Sequence, residues 1–332
     1  SKRLYVWFDA VIGYLSASIE WARRSGDPER WREWWNDPEA VSYYFMGKDN
    51  ITFHSQIWPA ELLGYAGRGD RGGEPGVFGK LNLPTEVVSS EFLTFGDRQF
   101  STSRGDVIYV RDVLDKYGPD AIRFYICAAG PENQDSAFTW RDFVQRNNSE
   151  LVAGWGNLVS RTAAMVAKNF GEIPQPGPLE DIDIEVRDTV TGAFATVGAL
   201  LERNRVKAAL AETMRIVGEV NAYVSRTEPF KLKGEDERER LATVLHTLIQ
   251  SVSDLNTMLA PFLPPAANRV HLALGGVGEF VPMPVLTDVV GLDDGDSDRS
   301  YPVITGDYSG TPRWESTPVL VGAPVVKPAP VF

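Results

Sequence analysis

One cysteine, three histidines, no long apolar run and no surplus of positive charge exclude several classes of protein for this chain of 332 residues. Cys127 alone permits no intramolecular disulfide and no cysteine zinc knuckle. His54, His246 and His271 leave little material for a metal site, so none is expected. No stretch approaches the roughly 18 apolar residues of a spanning helix, and no apolar core of a signal peptide follows Lys2-Arg3. The expectation is a soluble, cytoplasmic protein without a membrane partner. With 45 acidic and 33 basic side chains the net charge is −12, which argues against a polybasic nucleic-acid binder but leaves room for cations gathered on one face. What is present is 43% hydrophobic and 11% aromatic side chains, enough for a large core across two domains and incompatible with disorder. The apolar run Leu4 to Phe8 follows Ser1 without a linker, so the opening reads as part of something longer.

Short apolar runs alternate with amphipathic stretches up to about residue 90, the pattern of an α/β domain. Leu4 to Phe8 reads as a first strand and Tyr14 to Arg24 as a helix. Val41 to Met46 reads as a second strand and His54 to Tyr65 as the helix after it. Gly67 to Gly79 holds six glycines and is a loop, and Leu83 to Phe95 returns to strand character. From Asp142 to Gly275 the period becomes helical, with Phe143, Asn147, Leu151, Trp155 and Leu158 on one face and Leu241, Leu245, Leu248, Val252 and Leu255 on another, as in an antiparallel bundle. From Pro282 onward the chain carries eight of its 22 prolines and an acidic stretch, so an extended tail is expected. The expected division is residues 1–88, 89–141, 142–275 and 276–332.

Gly47-Lys48-Asp49 lies between a strand and a helix, where open α/β sheets bind ligands: glycine lets the backbone approach a nucleotide and a carboxylate accepts ribose hydroxyls. A turn with an N-capping Asp fits the same residues. His54 and Trp58, at i and i+4, suit either a pocket wall or a satisfied core histidine on a core tryptophan, and Trp7, Ala10 and Tyr14 offer the same choice. Phe100-Ser101-Thr102-Ser103-Arg104-Gly105 is rich in hydroxyls with one cation, suited to phosphates or to a plain surface turn. Asn157 and Arg161 share a helical face, an amide and a guanidinium able to read a base edge or to cap and bridge helices.

In order and spacing these pieces resemble a known family. Tyr5-Val6-Trp7-Phe8-Asp9-Ala10-Val11-Ile12-Gly13-Tyr14 and the run from Phe45-Met46-Gly47-Lys48-Asp49-Asn50 to His54-Ser55-Gln56-Ile57-Trp58-Pro59 look like the second half of the catalytic domain of bacterial methionyl-tRNA synthetase, a class I aminoacyl-tRNA synthetase. The likeness continues through Phe100 to Gly105 at the place of the family's Lys-Met-Ser-Lys-Ser loop. It goes on through Asp120-Ala121-Ile122-Arg123-Phe124-Tyr125, Asp142-Phe143-Val144-Gln145-Arg146-Asn147 and Trp155-Gly156-Asn157-Leu158-Val159-Ser160-Arg161 to Glu228-Pro229-Phe230, covering about residues 4 to 275.

The resemblance implies an α/β fold, the second half of a Rossmann-type nucleotide-binding domain, followed by an all-α anticodon-binding bundle and an extended tail. It implies a methionine-tRNA ligase using ATP with Mg²⁺, acting on methionine and on tRNA(Met) with a CAU anticodon, as a monomer. Trp7, Ala10, Tyr14, Ile51, His54 and Trp58 match positions around the methionine side chain, with Tyr14 and His54 reading its sulfur through neutral donors. Gly47, Asp49, Gln99 and Phe100 match ATP contacts, and Ser101, Thr102, Ser103 and Arg104 the loop over its phosphates. Asn157 and Arg161 match the reader of the first anticodon base, with Pro229 and Phe230 as a stacking platform.

The departures are specific. Gln99 and Thr102 stand where lysines are usual, leaving Arg98 and Arg104 as the nearby cations, and Phe230 replaces a tryptophan. Val11 replaces a common proline, and Ser89-Ser90-Glu91 stands where a His-Gly pair is frequent. No His-Ile-Gly-His signature and no zinc-type cysteines occur, so this chain alone is expected not to activate methionine. A non-catalytic tRNA-binding paralogue, or a sister synthetase for leucine, isoleucine, valine or cysteine, shares much of this pattern.

Overall fold

Helices prevail over strands throughout this computed structural model, which describes residues 3, 6–66, 76–96, 98, 100, 107–291, 299–305, 313–326 and 331–332. The chain divides into two compact units, Ser1–Phe92 with Pro284–Gly310, and Leu93–Met283 with Thr311–Phe332.

In the first unit the apolar run expected as a strand is helical: Val6–Ala10 is helix α1. A five-residue apolar run fits either state, and the following turn decides it. The Ile12 N–H donates to Asp9 O at 3.3 Å and Ser16 N–H to Ile12 O at 3.1 Å, leading into α2, Gly13–Arg24. After the short α3, Arg32–Trp35, strand β1 (Tyr43–Gly47) pairs in parallel with β2 (Glu86–Ser90), Tyr43 opposite Glu86 and Gly47 opposite Ser90. Parallel pairing demands a crossover, and helices supply it. A 3₁₀ turn over Lys48–Asn50 and a π-helical stretch over Phe53–Ile57 run into α4, Trp58–Tyr65. The widening has a cause in sequence: Pro59 lacks the N–H that would close an α-turn on Ser55, and the Trp58 N–H reaches back five residues to Phe53 O. Val11, Leu15, Trp31, Trp35, Trp58, Leu62 and Leu81 form this unit's core. Phe45, on β1, stays 63% exposed. Strands β5 (Leu286–Val290) and β6 (Ser300–Ile304) form an antiparallel pair held to α2, where Trp21 Nε1–H donates to Ile304 O at 3.2 Å and the Arg24 guanidinium lies 4.3 Å above the Tyr301 ring.

In the second unit β3 (Leu93–Phe95) pairs in parallel with β4 (Ser136–Phe138). Between them α5, Val110–Ala129, is broken at Gly118, whose φ of 73° and ψ of 166° only glycine adopts easily, just before Pro119. Helix α6 (Trp140–Arg146), a π-helical stretch (Asn147–Gly156) and α7 (Asn157–Asn169) make one long rod. Helices α8 (Asp181–Glu202), α9 (Val206–Thr227), α10 (Arg238–Leu259) and α11 (Pro264–Ala273) complete the layer.

Helix α10 is the axis of this unit. Leu245, Leu248, Ile249, Val252 and Leu255 are buried, and so are its polar residues Thr243, His246, Gln250, Asp254 and Asn256. A helix enclosed on all sides must satisfy its polar side chains internally. The chain after residue 312 does part of this. Gln250 donates to Thr317 O at 3.0 Å and accepts from Val319 N–H at 3.0 Å, Ser316 donates to Asp254 Oδ2 at 2.9 Å, and Trp314 Nε1–H donates to Phe194 O at 2.8 Å. At the other end of α10, Arg240 grips the wholly buried Asp183 with two N–H groups, one at 2.9 Å, while the Tyr223 hydroxyl donates to the same carboxylate, tying α8, α9 and α10 together.

The fold expected from sequence is corrected. The chain is mostly helical, with three two-stranded sheets among the described residues in place of a wound parallel sheet. The late helices do not stand apart as a C-terminal anticodon-binding bundle, because they share one unit with residues 93–169. Of the last residues, β5 and β6 are short strands, and Val303, Ala323, Val325 and Val331 are buried. Proline enrichment indicates extended backbone, and extended backbone packs as readily as it dangles once its apolar residues find a core.

His246 gives a pH test of this core. Burial holds its imidazole below the ordinary value, while the bond from Nδ1 to Pro174 O at 3.0 Å acts weakly the other way. The unfolded chain therefore binds a proton more readily, so stability is fully present above the unfolded value and falls as the pH drops through it. Urea unfolding at pH 7.5 and 5.5 should show a loss at the lower pH that His246→Phe lacks; an identical loss in the variant places the titration elsewhere.

Candidate functional site

Of the residues singled out in the first unit, Tyr14 and Trp58 gather near His54. His54 leaves the π-helical stretch pointing inward and is 3% exposed. Its Nδ1 lies 2.8 Å from Asn50 O, which can only accept, so Nδ1 carries the proton and Nε2 is left as an acceptor. The Tyr14 hydroxyl donates to that Nε2 at 2.7 Å. Tyr14, from the first turn of α2, is 43% exposed. Trp58 closes the floor, with Nε1–H donating to the Tyr44 hydroxyl at 3.1 Å and its ring centroid 6.5 Å from that of Tyr14. Tyr44 stands edge-on to Tyr14 at 5.2 Å, and burial pushes its phenol up. Trp7 stacks on Phe53 at 4.8 Å, tying α1 to the π-helical stretch, while Ala10 and Ile51 are exposed beside them. The result is an aromatic cluster around one phenol–imidazole pair, with apolar ring faces suited to an apolar side chain.

Gly47 ends β1 opposite Ser90, and Asp49 is exposed in the 3₁₀ turn. The neighbouring Lys48 is ion-paired to Glu91 and lies 4.5 Å from the Phe92 ring centroid. Sequence reasoning missed that pair, because the partners are 43 residues apart and only the parallel β1–β2 register brings them together. It also missed Tyr44 and Glu61. Both carboxylate oxygens of Glu61 are buried without a hydrogen-bond partner among the described residues; burial, reinforced by Asp9, raises its pKa.

In the second unit Phe100 packs near Phe95 at 5.8 Å, whereas Gln99, Ser101, Thr102, Ser103 and Arg104 lie outside the described residues. Asn157 and Arg161 are exposed one turn apart at the start of α7. Pro229 is buried and Phe230 is 49% exposed, just beyond the left-handed Glu228 that ends α9. Among the described residues no group of three His, Cys, Asp or Glu side chains is placed to hold a metal ion, and no helix is long and apolar enough to cross a membrane.

Comparison with known proteins gives this arrangement relatives. The model for tRNA synthetases class I (M) matches residues 1–163. The methionine–tRNA ligase of Nocardioides sp. is 64% identical and that of Kineococcus radiotolerans 62% identical, each across all of this chain. Along its whole length the chain is similar to methionyl-tRNA synthetases. It spans about half the length of these relatives, 55% of each. A Mycobacterium tuberculosis methionyl-tRNA synthetase solved with methionyl-adenylate superposes with a TM-score of 0.73 over 99% of this chain and 55% of that one, at 22% identity, a likeness of fold. Another structure of the synthetase from that organism, in complex with methionyl-adenylate, matches 82% of this chain and 50% of its own at a TM-score of 0.70 and 26% identity. The synthetase family model ends inside α7, so the helical layer beyond it rests on the full-length likenesses alone.

Proposed function

We propose that the protein containing this chain is a methionine–tRNA ligase, forming methionyl-adenylate from methionine and ATP and transferring the amino acid to tRNA. The observation that carries this reading is the Tyr14–His54 bond at 2.7 Å inside an aromatic cluster with Trp58 and Tyr44. Methionine is long, apolar and unbranched, with one polarizable sulfur that accepts hydrogen bonds weakly, and this cluster offers apolar ring faces with the Tyr14 and Tyr44 hydroxyls among them. His54 spends its own proton on Asn50 and holds the Tyr14 proton on Nε2, so the Tyr14 hydroxyl turns from Nε2 to donate to the sulfur when methionine binds.

ATP is the second substrate, accompanied by Mg²⁺, with Gly47 against the adenosine side and Asp49 accepting the ribose hydroxyls. The methionine carboxylate attacks the α-phosphorus and pyrophosphate leaves. The terminal ribose hydroxyl of the tRNA then attacks the adenylate carbonyl and AMP leaves. Both steps rest on positioning and charge stabilisation more than on covalent chemistry by the protein. The exposed Asn157 and Arg161, with Pro229 and Phe230, are the proposed contacts to tRNA(Met) and its CAU anticodon; the proposal concerns four side chains and no separate domain. A monomeric enzyme of the cytoplasm completes the reading.

Methionine-dependent ATP–pyrophosphate exchange by the full-length protein tests it. Methionine, and not leucine or valine, should support exchange, and Tyr14→Phe should lose about tenfold in kcat/KM for methionine while losing little for norleucine, which lacks the sulfur. Exchange driven equally by leucine overturns the assignment. For the tRNA contacts, Asn157→Ala and Arg161→Ala should each weaken binding of CAU-bearing tRNA by about 1 to 3 kcal/mol. Equal losses on tRNAs with other anticodons mark these side chains as structural.

A further inference from the structure

Tyr44 meets Tyr14, His54 and Trp58 alike, yet no step of the proposed reaction passes through it. It stands on β1 opposite Val87, and alternation along the strand leaves its neighbours Tyr43 and Phe45 exposed while Tyr44 turns toward the crossover. The rings it meets come from three other elements. Tyr14, from α2, stands edge-on at 5.2 Å and 88°; His54, from the π-helical stretch, is tilted at 6.0 Å; Trp58 opens α4.

Its chemistry toward Trp58 is specific. An indole N–H can only donate, and Trp58 is 2% exposed, so its proton needs an acceptor inside the fold. The Tyr44 hydroxyl is that acceptor at 3.1 Å. Trp35 also meets Trp58, edge-on at 6.0 Å and 81°, but apolar packing has no direction of its own. The bond to Tyr44 therefore fixes how the indole is turned and how far its edge lies from β1. A phenylalanine at 44 would fill the same space and leave the buried N–H without a partner.

We propose that Tyr44 is a positioning residue for methionine: acting through Trp58, it holds the ring surface against which the substrate side chain packs, without touching the substrate. The inference rests on the methionine–tRNA ligase reading above. Tyr14 reads the sulfur, whereas Tyr44 sets the shape that the whole side chain meets.

Tyr44→Phe in the full-length protein, followed by ATP–pyrophosphate exchange with methionine and with norleucine, separates these two roles. KM for methionine and for norleucine should rise together by about fivefold to tenfold, with kcat and KM for ATP little changed. In a Trp58→Phe background, which has no indole N–H to hold, Tyr44→Phe should add nothing further. A rise for methionine alone makes Tyr44 a direct contact to the sulfur, and a parallel rise for ATP makes it general support of β1. An undiminished effect in the Trp58→Phe background routes its action elsewhere. Each of these overturns the proposal, as does a Tyr44→Phe protein with unchanged kinetics. Exchange that ignores methionine in the unmutated protein overturns the ligase reading and this inference with it, so the two failures are told apart before any variant is made.

Discussion

Arg240→Met is expected to cost the fold about 3 to 5 kcal/mol at neutral pH, the usual penalty for stranding a buried charge. Asp183 is wholly buried and receives two N–H groups from Arg240, the Tyr223 hydroxyl and the Glu180 N–H at 2.9 Å. Burial alone would raise its pKa, but the bonds from Arg240 and Tyr223 outweigh it and hold the carboxyl below the ordinary value. The sign follows: the depressed value stabilises the fold above the unfolded pKa, and that contribution is lost as the pH falls through it. Methionine at 240 leaves burial in command, so the carboxyl titrates upward and the variant recovers relative to the wild type as the pH is lowered from 7 toward 4. Urea midpoints across that range measure both effects. Arg240→Met combined with Asp183→Asn should be less damaging than Arg240→Met alone, because the charge that lacks a partner is gone; a purely additive double variant shows that the three helices are held together by packing and not by this pair.

His54→Ala should be the most damaging single change to methionine use. It removes the acceptor that orients Tyr14 and opens a hole beside Trp58, 2% exposed. In the full-length protein kcat/KM for methionine is expected to fall about a hundredfold, the combined effect of a lost orienting bond and a cavity in an aromatic wall, with KM for ATP changed little. Parallel losses for ATP and methionine in pyrophosphate exchange place His54 in the support of the whole crossover and not in the pocket. His54→Gln, which can still accept from Tyr14, should recover part of the activity.

How far the sequence carried this picture depends on the range of the forces involved. The helix around Leu241 to Leu255 was legible because its period is written locally and its burial follows it. Leu4 to Phe8 misled because five apolar residues do not choose between strand and helix until the next turn is built. The π-helical stretch at Phe53–Ile57 was hidden although its cause, Pro59, stood in plain view: spacing arguments assume 3.6 residues per turn, and a missing N–H changes the turn itself. Tyr14 and His54 came together as the motif suggested, yet the proton direction between them needed the Asn50 carbonyl. Lys48–Glu91 and Asp183–Arg240 were illegible for a simpler reason, since each joins residues that only tertiary structure makes neighbours.

The chain after residue 312 is a strap over α10, with a consequence for the order in which the second unit forms. Trp314 reaches Phe194 across 120 residues and Gln250 reaches Thr317 across 67, so these bonds close only after the helices they join are in place. Contacts of such separation carry a large loop-closure cost and belong late on a folding route. Until they close, Gln250 and Asp254 have each other and water as partners, and α10 holds an unfinished flank. Refolding should therefore show a helical signal that runs ahead of the burial of Trp314, with the strap as the final latch on a nearly assembled core.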